Sequence, residues 1–148
     1  MEISNKKRTT KIKRTFNFSM VALLLLTLFF VWKENNVGAL ISGGILVLCV
    51  MAVQFVQINY IYYSSEGNKI LIRYYPLIAF FGKEYNSIEF DKHLLYFAKV
   101  KRIAAFSDLY IAIKTAKGIA EYPEVSLVGL SKDEIGLIEN DLNALLKK

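Results

Sequence analysis

The stretch Phe29–Gly44, "FFVWKENNVGALISGG", sets four polar residues, Lys33–Asn36, between two long apolar runs. Before it lies "FNFSMVALLLLTLFFVW", residues 16–32, and after it "VGALISGGILVLCVMAVQFVQI", residues 37–58; neither carries a charge. As helices rising 1.5 Å per residue they would reach roughly 26 and 33 Å, close to the roughly 30 Å hydrocarbon thickness of a bilayer. A helix packed into a soluble core shows a polar stripe at 3.6-residue spacing. Residues 23–26 and 28–32 leave no room for one. Two membrane-spanning helices are therefore expected, with Lys33–Asn36 as the tip of a hairpin, because Asn35, Asn36 and Gly38 favour turns and the connection need only be short. The rival for the first run is a cleavable signal sequence. The run is longer than the roughly 7–15 residues of a signal core, has no small-x-small site before "KENN", and is followed at once by the second run, so it reads as uncleaved.

The chain has 148 residues, 54% of them hydrophobic, and a formal net charge of +6. That charge is concentrated. Lys6, Lys7, Arg8, Lys11, Lys13 and Arg14 precede the first run against Glu2 alone, whereas residues 59–148 hold 12 basic and 11 acidic residues. Basic flanks of a spanning helix stay in the cytoplasm, and the tip carries only Lys33. Both termini are thus expected to be cytoplasmic, in a multi-pass protein of the inner cell membrane. Residues 1–15 read as a basic cytoplasmic tail, its six basic side chains lying on anionic lipid headgroups. A domain of near-zero net charge without a basic stripe does not suggest nucleic acid as a partner.

In the second span Gly38 and Ser42 are four apart, as are Ala39 and Gly43. Small residues at this spacing let helix backbones approach closely in lipid. The contact is either with the first helix of the same chain or with a second copy in a homo-oligomer. Neither span contains Asp, Glu, Lys, Arg or His, one of which an ion-coupled transporter usually needs. Cys49 is the lone cysteine, so no internal disulfide can form.

From Asn59 the texture changes. "NYIYYSS" and "KILIRYY" alternate around Glu66-Gly67-Asn68 and predict a hairpin. "LIAFFGKEY" reads as a strand or an irregular loop, "NSIEF" as a short strand, and "LLYFAKVKRIAAF" with "DLYIAIKTAKG" as a second hairpin about Ser107-Asp108. "GIAEYPEV" is confined by Pro123 to an edge or a strand end. Six or seven short strands at this spacing predict a sandwich or barrel. "LSKDEIGLIENDLNALLKK" predicts a closing helix. Ser131 and Glu134 form a capping box, Leu130 and Ile135 a staple, and Ile135, Ile138, Leu142 and Leu145 one apolar stripe. Asp133 and Glu134 suit its N-terminus, and Lys147 and Lys148 its C-terminus.

Strands followed by a capping helix, with the runs "GNKILIRYYPL", "YNSIEFDK" and "AEYPEVSLVGLSKDE", resemble small bacterial membrane proteins of the Bacteroidetes type. Those carry a two-helix hairpin followed by a pleckstrin-homology-like domain. The resemblance implies an α+β membrane protein: a basic tail (residues 1–15), a transmembrane hairpin (16–32 and 37–58), and a cytoplasmic pleckstrin-homology-like barrel or sandwich (59–148) capped by a helix. The tryptophan that eukaryotic domains of this fold usually place in the last helix is missing here, as is a basic phosphoinositide loop. Inositol-lipid binding does not carry over.

No nucleophile–base set, carboxylate pair or phosphate loop is present, and His93 is the single histidine. No catalytic residue, cofactor or metal is expected. Lys99, Lys101 and Arg102 form a basic cluster, with Lys99 and Lys101 on one strand face and Arg102 on the other. They are either a surface contact or a solvated face. The expected function is a non-catalytic membrane-anchored adaptor or scaffold whose β-domain contacts a protein partner or the membrane surface. The alternative is an accessory subunit of a larger membrane complex, recognised through the hairpin.

Overall fold

The computed structural model describes residues 1–56, 58–78, 84–103 and 106–146. It is an α+β structure of two compact units: residues 10–56 form a helical pair, and Met1–Thr9 join the chain after it in a β-unit. The elements run β1 (Glu2–Ser4), α1 (Lys6–Trp32), α2 (Asn36–Val56), β2 (Asn59–Ser64), β3 (Lys69–Pro76), β4 (Asn86–Asp91), a 3-10 turn (Lys92–Leu94), β5 (Leu95–Ile103), β6 (Phe106–Thr115), β7 (Gly118–Glu121), β8 (Val125–Ser126) and α3 (Lys132–Leu146).

The strands build two antiparallel sheets of four, β1-β2-β3-β4 and β5-β6-β7 with β8 also on β6. Alternation places their apolar faces. Ile61 and Tyr63, Ile70 and Ile72, and Ile88 and Phe90 point inward from the first sheet, and Ala98, Val100, Leu109, Ile111 and Ile113 from the second. These residues share one core with Ile135, Ile138 and Leu142 of α3. No ladder joins the two sheets among the described residues, so the strands do not close into a barrel.

Both expected hairpins form. Gly67 takes φ +57° in the first turn, where a residue with a Cβ would be strained. Lys92 holds that turn by donating from Nζ to the carbonyls of Ser65 and Gly67 at 3.0 and 2.9 Å. In the second, Ser107 and Asp108 lie within β6, opposite Arg102 and Lys101, and not at the turn. Inward placement of Leu109 and Ile111 extends the pairing past them. Most of "LIAFFGKEY", together with Lys147 and Lys148, lies outside the described residues.

The first nine residues depart from the expected free tail. β1 pairs with β2, Ile3 opposite Tyr63, and Ile3 joins the core. Asn5 then ends the strand and begins the helix. Its backbone N–H donates to Ile61 O at 3.3 Å, its Oδ1 accepts from Ile61 N at 2.9 Å, and its Nδ2 donates to Asn59 O at 3.0 Å. The side-chain amide thereby takes the place of the next peptide of the ladder, while the Asn5 carbonyl accepts from Thr9 N at 2.9 Å as the first helical bond. Gly129, at φ +114°, packs on this junction: a Cβ there would come within 3.2 Å of Asn5 Nδ2 and 3.3 Å of Asn59 O. The tail's apolar and amide side chains, not only its charges, determine where it goes.

The closing helix matches its sequence signals. Glu134 N donates to Ser131 Oγ at 3.2 Å, and Ser131 N donates to Glu134 Oε2 at 2.6 Å, completing the capping box. Arg8 adds to the same carboxylate at 3.1 Å and also reaches Gly129 O. On the inner side, the Tyr63 hydroxyl donates to Asp141 at 2.6 Å; burial and then this carboxylate push the phenol up.

Two outcomes are expected. Asn5→Ala leaves the buried Ile61 N–H without its acceptor, so the full chain in detergent should lose about 1–3 kcal/mol of stability. An unchanged unfolding midpoint would contradict the ladder-replacement role. For Glu134, burial pulls the carboxyl upward, but bonds from Ser131 and the charge of Arg8 outweigh it and hold the group below its ordinary 4.5. A depressed folded value contributes stability above the unfolded value, and that contribution disappears as pH falls through the folded one. Glu134→Gln should accordingly flatten the acid limb of the stability profile below about pH 4.5 relative to the parent chain.

Candidate functional site

Within the helical pair, the half-buried positions of α1 from Phe16 onward are Phe16, Met20, Leu23, Thr27 and Phe30. Those of α2 include Ala39, Leu46, Cys49, Val53 and Val56, with Ser42 buried. Both series step by three or four, the spacing of a two-helix seam. Its bulky side lies on α1 and its small side at the start of α2. A Cβ on Gly38 would stand 2.8 Å from the Phe30 ring, and one on Gly43 would touch Thr27. Ser42 Oγ donates to Gly38 O at 2.8 Å, so a hydroxyl sits in the seam without an unpaired proton. Gly38, Ala39, Ser42 and Gly43 thus lie on a face where Gly38 and Gly43 meet α1 of the same chain. The outer surfaces of both helices carry exposed Leu24, Leu25, Leu28, Leu40, Ile41 and Leu48. Both helices are long and apolar enough to cross a membrane.

The basic residues divide. Lys6, Lys7, Arg8, Lys11, Lys13 and Arg14 all fall on α1 and not on a free tail, and Arg8 is engaged by Glu134. Arg102 pairs with Glu139 of α3 at 2.6 Å. Lys99 and Lys101 line a groove of about 400 Å³ on the other face of β5, with Phe97, Tyr110 and Glu121. The structure does not bring the three cluster residues together: two face solvent and one fastens a helix.

Sequence reasoning missed a second groove, of about 500 Å³, on the outer face of the first sheet. Tyr60, Tyr62, Arg73, Tyr75, Tyr85 and Ser87 line it, with Lys6 and Asn86. Register explains the cluster. Tyr60 opposes Tyr75 and Tyr62 opposes Arg73, while Arg73 opposes Ser87 on its other side. The Tyr60 and Tyr75 rings stack at 4.6 Å, and Tyr85 meets Tyr75 at 5.0 Å. Burial, then the neighbouring phenols, raise Tyr75; Glu2 raises Tyr62. Among the described residues neither Arg73 nor Lys6 makes a side-chain ion pair. Glu89, on the same face, is taken by Lys69 at 2.8 Å. The available signal was the two-residue spacing of Tyr60 with Tyr62 and of Arg73 with Tyr75, read across the Gly67 turn.

The groove presents cationic and phenolic hydrogen-bond donors but no carboxylate among its lining residues. That equips it to hold an anion. His93 is exposed on the 3-10 turn, and no three His, Cys, Asp or Glu side chains among the described residues gather as metal ligands. No protein-family model, curated protein or solved structure matches this chain.

The seam sets up a contrast between two glycines. Gly38→Ala drives a methyl into the Phe30 ring and should cost about 1–3 kcal/mol as overpacking. Gly44 has nothing within 4 Å of its Cβ position, so Gly44→Ala should be neutral. Thermal unfolding of the two variants in detergent gives the comparison, and equal midpoints would place the seam elsewhere.

Proposed function

We propose that this chain is a non-catalytic, membrane-anchored adaptor, its helical pair spanning the bilayer as a hairpin and its β-unit working at the membrane surface. The observation that carries the reading is the pairing of β1 with β2. Strands in one ladder must lie on one side of a membrane, so a chain that leaves β1 through α1 and re-enters at β2 through α2 crosses twice or not at all. The exposed leucines of both helices favour crossing. Ile3 in the core also argues for retention of the segment before α1.

Six basic residues at the start of α1 against Lys33 in the tip support a cytoplasmic β-unit, with both termini inside, in the inner membrane of a bacterium. Two antiparallel sheets closed by one C-terminal helix are in keeping with a pleckstrin-homology-like domain of open form. The accessory-subunit reading would need a small or polar face left free on the hairpin. Gly38 and Gly43 of the small-residue face meet α1 of the same chain, so that part of the face is occupied within the hairpin.

Cysteine labelling tests the topology. In a Cys49→Ser background, Asn35→Cys should react with an impermeant maleimide in intact cells, and Glu66→Cys only after lysis. Labelling of both in intact cells, or of Glu66→Cys alone, would contradict the proposed orientation.

A further inference from the structure

We propose that the tyrosine groove of the first sheet holds the phosphate headgroup of an anionic membrane lipid, with Arg73 and Lys6 as its anion-binding groups. This rests on the reading of the chain as membrane-anchored. Four features carry it. The lining combines a guanidinium, an ammonium and four phenols without a carboxylate. An arginine fork can hold two phosphate oxygens at once, and tyrosine hydroxyls supply the further donors that a phosphodiester accepts.

Second, Arg73 remains available. On its face Glu89 is held by Lys69, which together with Arg73 keeps that carboxyl low, and Glu2 accepts from the Tyr62 hydroxyl. Third, α1 begins with basic residues and no acidic one in its first turn, so its positive dipole end coincides with Lys6 and Lys7. Within a protein that arrangement is unfavourable, and an external anion relieves it. Fourth, the groove is bound to the membrane-proximal chain. Tyr60 lies four residues beyond the end of α2, and Lys6 is the first residue of α1. Tyrosine is also the side chain that interfaces accept, apolar in its ring and wet at its tip. The other groove, beside Lys99 and Lys101, has Glu121 among its lining residues.

The full chain, purified in dodecyl maltoside and loaded with equal amounts of dioleoyl phosphatidylglycerol and dioleoyl phosphatidylcholine, is read by native mass spectrometry. The parent chain should retain the anionic phosphatidylglycerol in preference. Each basic residue removed in Lys6→Gln and Arg73→Gln should lower that preference about fivefold. Lys99→Gln/Lys101→Gln should leave it unchanged. If the double variant loses its unfolding midpoint, Arg73→Lys, which keeps the charge and loses the fork, should still lower the preference.

Undiminished preference in the double variant, or equal retention of both lipids by the parent, overturns the proposal. Displacement of the lipid by equimolar inorganic phosphate would assign the groove to a soluble anion, and binding of a glutamate-rich peptide in place of lipid would assign it to an acidic protein segment; either also overturns it. Carbonate extraction separates the two levels. A chain that resists extraction but shows no preference loses only the headgroup site, whereas a chain that is extracted loses the anchored reading itself.

Discussion

Everything on either side of the helical pair depends on how the chain leaves a β-ladder and enters a helix within one residue. A strand that turns away leaves its partner's N–H and C=O unpaired, and inside a core each such group costs on the order of 1–3 kcal/mol. Asn5 solves this because its side chain carries both halves of a peptide, a donor and an acceptor, on a stem short enough to stay in register. Among side chains only glutamine carries the same amide, and it is one methylene longer. The exit is then covered by Gly129, whose lack of a Cβ lets the loop before α3 close over it.

The consequence is a β-unit interrupted by the helical pair. Asn5 and Asn59 are 54 positions apart yet hydrogen-bonded. A flexible loop of that length would oppose the contact with an entropic cost that grows as the logarithm of its length. Pairing of the two helices along their seam shortens the effective loop and lowers that cost. The seam of bulky residues on α1 against small ones on α2 is therefore part of what makes β1 possible. In turn, a piece of the chain starting at Asn59 would lack β1 and leave the Ile61 and Tyr63 edge open, so the β-unit is not simply residues 59–148.

Most of the strands and the last helix were legible because they depend on local rules. Two-residue alternation marks β2, β3, β5 and β6, a glycine with positive φ marks the first turn, and Ser131 with Glu134 marks the start of α3. β1 was not legible. Three residues carry no measurable period, and the partner lies beyond two long helices. The six basic residues that follow dominate the local pattern over Ile3 and Asn5. β8 escaped for the same reason, being two residues long. The open sheets, as opposed to a closed barrel, depend on how the chain passes from β4 to β5 through a 3-10 turn, and no local signal measures that. The groove was half legible: its tyrosines show in the sequence, but their convergence needs the register of three strands.

The placement of the basic residues follows from these facts taken together. A helix N-terminus ordinarily favours acidic residues, and each cation there is disfavoured by a few tenths of a kcal/mol to about 1 kcal/mol. α1 accumulates six basic residues over its first nine, Lys6 to Arg14. One, Arg8, is offset inside the fold by Glu134, which also caps α3, so a single carboxylate serves two helix N-termini. The others have no such partner in the capping network, and the fold alone gives no reason to hold them there. A cation run that helix electrostatics opposes is expected where an outside field of opposite sign exceeds the penalty. An anionic leaflet supplies about 1 kcal/mol per basic residue near its surface, enough to reverse the sign. On the proposed membrane-anchored reading, the residues that burden the isolated helix are the ones an anionic leaflet would hold.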